Sequence, residues 1–193
     1  MAAFFLASWV GDVALLLAPE GPADVALLGV PKHGSWFLVG VGAFAVAHGA
    51  LIGALRRVGE GASTGRAWWF GVPVAWMVAV GAAVLPEVAS DPERRAALGP
   101  LVAYAALLVA MVGFALRRKG RVSEESFEVT LLGAAFFLVS DSTIGVVHLV
   151  HRGQVSGGGL AIMATYLAAE VLLGWGVLLQ YGAQEVRTQS SAS

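Results

Sequence analysis

The stretch VTLLGAAFFLVSDSTIGVVHLV, residues 129–150, decides the fold. It is apolar apart from Thr130, the short polar knot Ser140-Asp141-Ser142-Thr143, and His148. Apolar and polar positions do not alternate every second residue, so the run reads as a helix rather than a half-buried strand. At 1.5 Å per residue such a helix covers about 33 Å, enough for the roughly 30 Å hydrocarbon core of a bilayer. The stretch therefore predicts a membrane-crossing helix that carries an acid partway along.

Five more runs of the same character flank it: Met1–Leu17, Trp36–Leu55, Trp68–Leu85, Pro100–Leu116 and Leu160–Tyr181. The links between them hold nearly all the Pro, Arg, Lys, Asp and Glu, as turns outside the hydrocarbon do. Across all 193 residues, 58% are hydrophobic and only 13% charged, and the mean hydropathy is +0.76. Soluble domains carry about 25% charged residues, so this chain lacks the charge to cover a water-facing surface. The expectation is an all-α, polytopic transmembrane bundle of six helices. It forms one domain over residues 1–182, with a polar cytoplasmic tail over 183–193 that is disordered from Arg187.

The near-neutral balance, −1 at pH 7, gives no reason to expect a nucleic-acid partner. The chain has no cysteine, which removes disulfides, thiolate nucleophiles and cysteine metal ligands together. The first run is not a secretory leader, because it lacks a basic start and contains Asp12. Lys and Arg are uneven between the two sets of links. Arg56, Arg57, Arg66, Arg117, Arg118, Lys119, Arg121 and Arg187 fall on one side, against Lys32, Arg94, Arg95 and Arg152 on the other. The positive-inside rule places both termini in the cytoplasm, in an inner or plasma membrane of bacterial type. Trp36, Phe37, Trp68, Trp69 and Tyr181 suit interfacial anchors. Ala45, Gly49 and Gly53 form a small-residue stripe suited to close helix packing.

Polar side chains at membrane depth carry the functional information, because a charge near the bilayer centre costs about 2.5–3.5 kcal/mol on insertion scales. They are Asp12, His48, Ser140, Asp141, Ser142, His148, Tyr166 and Glu170. Counting 1.5 Å per residue from the outer face puts Asp12 and Tyr166 about 9 Å down, Asp141 about 14 Å and Glu170 about 15 Å. These four share a slab, whereas His48 lies deeper, at about 18 Å. Serines at such positions more often bond back to their own helix than catalyse, and a lone histidine or tyrosine is often a packing or helix-to-helix contact. An acid has no comparable structural use in lipid. Two carboxyls away from water can share a proton, one acting as a general acid while the other stabilises positive charge or activates water. The same pair could relay protons in a transporter, so the residues alone leave both open.

Four short motifs, in order along the chain, carry a resemblance. They are Gly11-Asp12-Val-Ala-Leu-Leu, then Phe37-x-x-Gly40-x-x-x-Phe44-x-x-x-His48, then Gly133-Ala134-Ala135-Phe136-Phe137-x-x-Ser140-Asp141-Ser142, and Ala164-Thr165-Tyr166-x-x-Ala169-Glu170. Together they resemble the YhhN-like membrane proteins, the lysoplasmalogenase family. That family usually has eight helices, and the present chain starts where the third would begin. Leu51 stands where the family usually has tyrosine, and Glu170 where it has glutamine.

The resemblance implies hydrolysis of the vinyl-ether bond of a lysoplasmalogen, giving a fatty aldehyde and glycerophosphoethanolamine or glycerophosphocholine. Asp12 and Asp141 are then the catalytic acid and base, in an order the sequence leaves open. His48, Ser140, Tyr166 and Glu170 are expected to bind the substrate. Expected partners are a lysophospholipid substrate and bilayer lipids, with no metal and no cofactor. A proton-coupled transporter or flippase using the same acids is the alternative. A metal-dependent hydrolase built on His148-x-x-His151 is a third reading, short of a third ligand.

Overall fold

The long apolar runs become six α-helices, and a computed structural model describes residues 1–17, 35–56, 66–92, 94–151 and 154–191 of the chain. The helices are α1 (Ala2–Leu17), α2 (Ser35–Arg56), α3 (Gly71–Ser90), α4 (Leu98–Leu116), α5 (Glu124–Ile144) and α6 (Gly158–Ser191). Single 3₁₀ turns at Ala67–Phe70 and Arg95–Ala97 lead into α3 and α4. Among the described residues there is no strand. Five of the helical stretches are long and apolar enough to cross a membrane, and α1 is shorter. Lys32, His33, Arg57 and Arg152 lie outside the described residues.

Two expectations are corrected. The tail was to be disordered from Arg187, but α6 continues to Ser191. Its Ala, Gln, Glu and Arg residues are good helix formers, so the helix has no local reason to stop where the apolar run ends. The stripe Ala45, Gly49, Gly53 was to receive a neighbouring helix, but a methyl built on Gly49 or Gly53 would meet nothing within 4 Å. The close approach occurs elsewhere, between α5 and α6. A Cβ on Gly133 would lie 2.9 Å from the backbone nitrogen of Leu173, and one on Gly176 would lie 2.8 Å from that of Thr130. Both glycines face the partner helix, and their missing side chains let the two backbones touch.

The ends of α5 are specified in different ways. Ser123 caps the N-terminus, its hydroxyl accepting from the Ser126 amide, and Glu124 and Glu125 occupy the positive first turn. At the other end the backbone widens into a π-helical segment, Gly145–Val150, starting one turn after Asp141. It packs against α3, while Tyr104 of α4 and Arg118 of the α4–α5 turn bond to α5. Arg94 fastens the segment by donating to the Leu149 carbonyl at 3.2 Å. Such widened turns are rare and recur at functional sites.

At the α4–α5 turn, Gly120 takes a left-handed φ of 76°, which costs glycine nothing. Beside it Arg118 is fully buried and donates from Nη2 to Ser126 Oγ at 2.8 Å. Ser126 in turn donates to the Gly176 carbonyl at 2.6 Å. Burial lowers Arg118 to about 10, so it remains charged at neutral pH. Phe4, Phe44, Leu51, Met111, Phe137, Tyr166 and Leu173 fill the core between the helices.

Candidate active site

Asp12 and Asp141 each receive a tyrosine. On α1, Asp12 Oδ2 accepts from the Tyr166 hydroxyl of α6 at 2.7 Å. On α5, Asp141 Oδ2 accepts from the Tyr104 hydroxyl of α4 at 2.5 Å. Hydrogen bonds to a charged or partly charged acceptor are short and about twice as strong as neutral ones. Gly11 leaves room for the Phe44 ring beside Asp12, because a Cβ there would lie 2.7 Å from that ring. The glycine lets Phe44 press against α1 beside Asp12.

An aromatic cage lies between the two pairs. Phe137 stands edge-on to His48 at 4.6 Å and to Tyr166 at 5.7 Å, and Phe44 is edge-on to Tyr166 at 6.0 Å. His48 is fully buried. Its Nδ1 lies 2.7 Å from the Phe44 carbonyl, and a carbonyl can only accept, so Nδ1 carries the proton. In the neutral ring Nε2 is then a bare acceptor. Among the described residues it has no hydrogen-bond partner, and it lies 4.0 Å from Asp141 Oδ2.

Of the residues singled out in the sequence, Asp12, His48, Asp141, Tyr166 and Glu170 come together. Glu170, one turn beyond Tyr166, lies beside Ser8 and Tyr166. His48 was counted about 4 Å deeper than Asp141, yet the two side chains meet. Side chains lean toward the N-terminus of their own helix. Because α2 and α5 run in opposite directions, His48 and Asp141 lean toward each other.

Ser140 does not join them. Its hydroxyl donates to the Ile162 carbonyl at 3.2 Å and ties α5 to α6. Ser142 does bond back to its own helix, to the Leu138 carbonyl at 2.6 Å, and also accepts from Trp76 Nε1 at 2.9 Å. His148 lies in the π-helical segment and His151 is exposed at its end. Among the described residues, no group of three or more His, Asp or Glu is placed to hold a metal ion.

Tyr104 is the residue that sequence reasoning missed. A signal was present, since it is the lone polar side chain of the run Pro100–Leu116. Counted from Leu98, it stands about 9 Å along its helix, the same depth as Asp12 and Tyr166.

The YhhN family pattern matches residues 1–177. The chain belongs to the YhhN family. No curated protein and no solved structure matches it. In this YhhN chain the matched region takes in both tyrosine–aspartate pairs, His48 and Glu170.

Proposed function

We propose that this YhhN protein is an intramembrane hydrolase that cleaves the vinyl-ether bond of a lysoplasmalogen by carboxyl acid–base chemistry. The observation that carries the reading is the unequal surroundings of two otherwise matched carboxyls. Each accepts one tyrosine hydroxyl, but Asp141 alone faces the bare Nε2 of a histidine. At 4.0 Å the two are not hydrogen-bonded, but a carboxylate and a bare ring nitrogen both only accept, so their proximity favours the protonated carboxyl. With its side chain only 5% exposed, Asp141 is the carboxyl suited to hold that proton. Asp12, partly buried, accepts from Tyr166 and has no such nitrogen described against it, so it is the carboxyl suited to remain ionised.

The chemistry then balances as follows. Asp141 gives its proton to the β-carbon of the vinyl ether, and the C=C π pair forms the new C–H bond. The positive charge is shared by the α-carbon and the ether oxygen, and the Asp12 carboxylate stabilises it. Asp12 takes a proton from water as the water oxygen bonds to the α-carbon, giving a hemiacetal. The hemiacetal breaks its bond to the glycerol oxygen, releasing aldehyde and the glycerophospho alcohol, with its hydroxyl proton passing to that oxygen. The proton on Asp12 returns to Asp141, so one water is consumed and neither acid is changed. Glu170 and Tyr166 lie on the Asp12 side, where they suit the substrate's polar end.

The test is aldehyde release from lysoplasmalogen by protein reconstituted in liposomes, set against the saturated ether analogue. Aldehyde is expected from the vinyl ether alone, in one-to-one ratio with the glycerophospho product. Substrate that crosses the bilayer unconsumed would instead establish the transporter reading, and loss of activity to a chelator would establish a metal.

His48 is a positioning residue in this scheme. His48→Asn keeps a donor for the Phe44 carbonyl but has nothing where Nε2 stands, whereas His48→Gln places an amide there. The Asn variant is expected to lose about 10–100-fold in kcat, below the 10²–10⁴ range of a direct acid or base, with KM within twofold. The Gln variant should recover part of that loss. Equal losses in both variants, or a loss confined to KM, would refute the role.

A further inference from the structure

On the outer face of the bundle, α2 and α4 leave a groove of about 440 Å³ between them. Val41, Gly42 and Ala45 form one wall, and Ala103, Tyr104 and Leu107 the other. Tyr104 brings the single hydroxyl among these six side chains. The groove owes its depth to small residues: a methyl on Gly42 would meet nothing within 4 Å. Val39, Val46 and Val102 around it are 47%, 64% and 52% exposed, so this face is turned toward the membrane's acyl chains.

A second, smaller space of about 50 Å³ lies against Asp141, bounded also by Phe44 and Ile144. It has room for roughly three to five water-sized groups, comparable to the C=C–O unit of a vinyl ether with little beyond it. The two spaces share Val41 and Tyr104. Tyr104 therefore forms a wall of the outer groove while its hydroxyl donates to the acid in the inner space.

We propose that the α2–α4 groove is the binding site for the single hydrocarbon chain of an alkenyl-ether amphiphile, which enters sideways from the bilayer. The inference rests on the vinyl-ether reading above. The volume falls within the 300–1,000 Å³ typical of ligand pockets, which are mostly apolar with a few placed polar groups. Continuity with the acid decides the occupant. A chain lying in the groove delivers its first carbons past Tyr104 to Asp141. A bilayer lipid with two chains finds one groove for both.

Gly42→Trp tests this, because the position is open and the indole would fill the groove. Gly49→Trp is the control, since Gly49 is equally open, on the same helix, and lines neither space. Turnover is measured with a long-chain vinyl-ether lysolipid and with a short-chain, water-soluble vinyl ether of glycerol. Gly42→Trp is expected to lower kcat/KM for the long chain at least tenfold and leave the short substrate within threefold. Gly49→Trp should change neither. Equal loss on both substrates, or no loss on either, overturns the groove. A separate readout does not depend on turnover: a lysophospholipid with a diazirine midway along its chain should label the 41–45 and 103–107 segments of the wild type. That labelling should vanish in Gly42→Trp. If wild type releases no aldehyde but the labelling behaves so, the hydrolase reading fails and the groove stands. Labelling that ignores the tryptophan overturns the groove.

Discussion

Asp141→Asn is expected to abolish aldehyde release, lowering kcat by about 10²–10⁴-fold, the range for loss of a direct general acid. The substitution keeps the shape of the side chain and an oxygen that can accept from Tyr104, so the fold has little cause to change. It removes the one thing the reaction needs at that atom, a proton that can leave. Proton transfer to carbon is the slow step of vinyl-ether hydrolysis, so the wild-type enzyme should also slow severalfold in D₂O. Asp12→Asn removes the charge that stabilises the developing cation and the base that activates water, so it should lower kcat as well while keeping the D₂O effect. Aldehyde production surviving Asp141→Asn at more than a tenth of the wild-type rate would end the assignment of Asp141. The measurement is single-turnover aldehyde release from both variants, with folding checked by thermal unfolding in the same detergent.

Gly176→Val should be the most destabilising small substitution in the described chain. A Cβ there would sit 2.3 Å from Thr130 Oγ1 and 2.8 Å from Thr130 backbone nitrogen. The hydroxyl could rotate away, but the backbone cannot, so α5 and α6 must separate. Overpacking of this kind costs about 1–3 kcal/mol. Here separation also strips the Gly176 carbonyl of its bond from Ser126, whose hydroxyl is a partner of the buried Arg118. Gly174→Ala is the comparison, since its Cβ meets only the tip of the Phe5 ring, at 3.0 Å. A ring tip can swing, and the cost should be less than half as large. Gly49→Ala, in open space, should stabilise by up to about 1 kcal/mol through helix propensity. Unfolding midpoints in mild detergent should fall in the order Gly49→Ala, wild type, Gly174→Ala, Gly176→Val. A Gly176→Val protein as stable as wild type would show that the seam is looser than its contacts imply.

The helices and the two aspartates are legible in the sequence for the same physical reason. Long apolar runs have few uses outside a membrane, and an acid inside one is too costly to be incidental. Tyr104 is harder to find, because tyrosine is half apolar and raises no such alarm until its depth is counted. Ser140 shows a different limit. Whether its hydroxyl reaches a site or the Ile162 carbonyl depends on how α5 is rotated against α6, and no spacing within one run encodes that. His48 was misplaced because residue counting measures backbone height, while the chemistry happens at side-chain tips that lean.

The two carboxyls proposed to react ride on separate helix pairs. Asp12 is latched to α6 through Tyr166, and Asp141 belongs to α5 and is latched to α4 through Tyr104. Among the described glycines, Gly133 and Gly176 are the ones that bring backbone against backbone between these pairs. On the proposed mechanism that joint works as a gauge block: it sets the gap across which a proton would be relayed from base to acid, at a place where neither carboxyl is present. A substitution there mild enough to leave the protein folded should still detune catalysis, by spacing two intact half-sites wrongly.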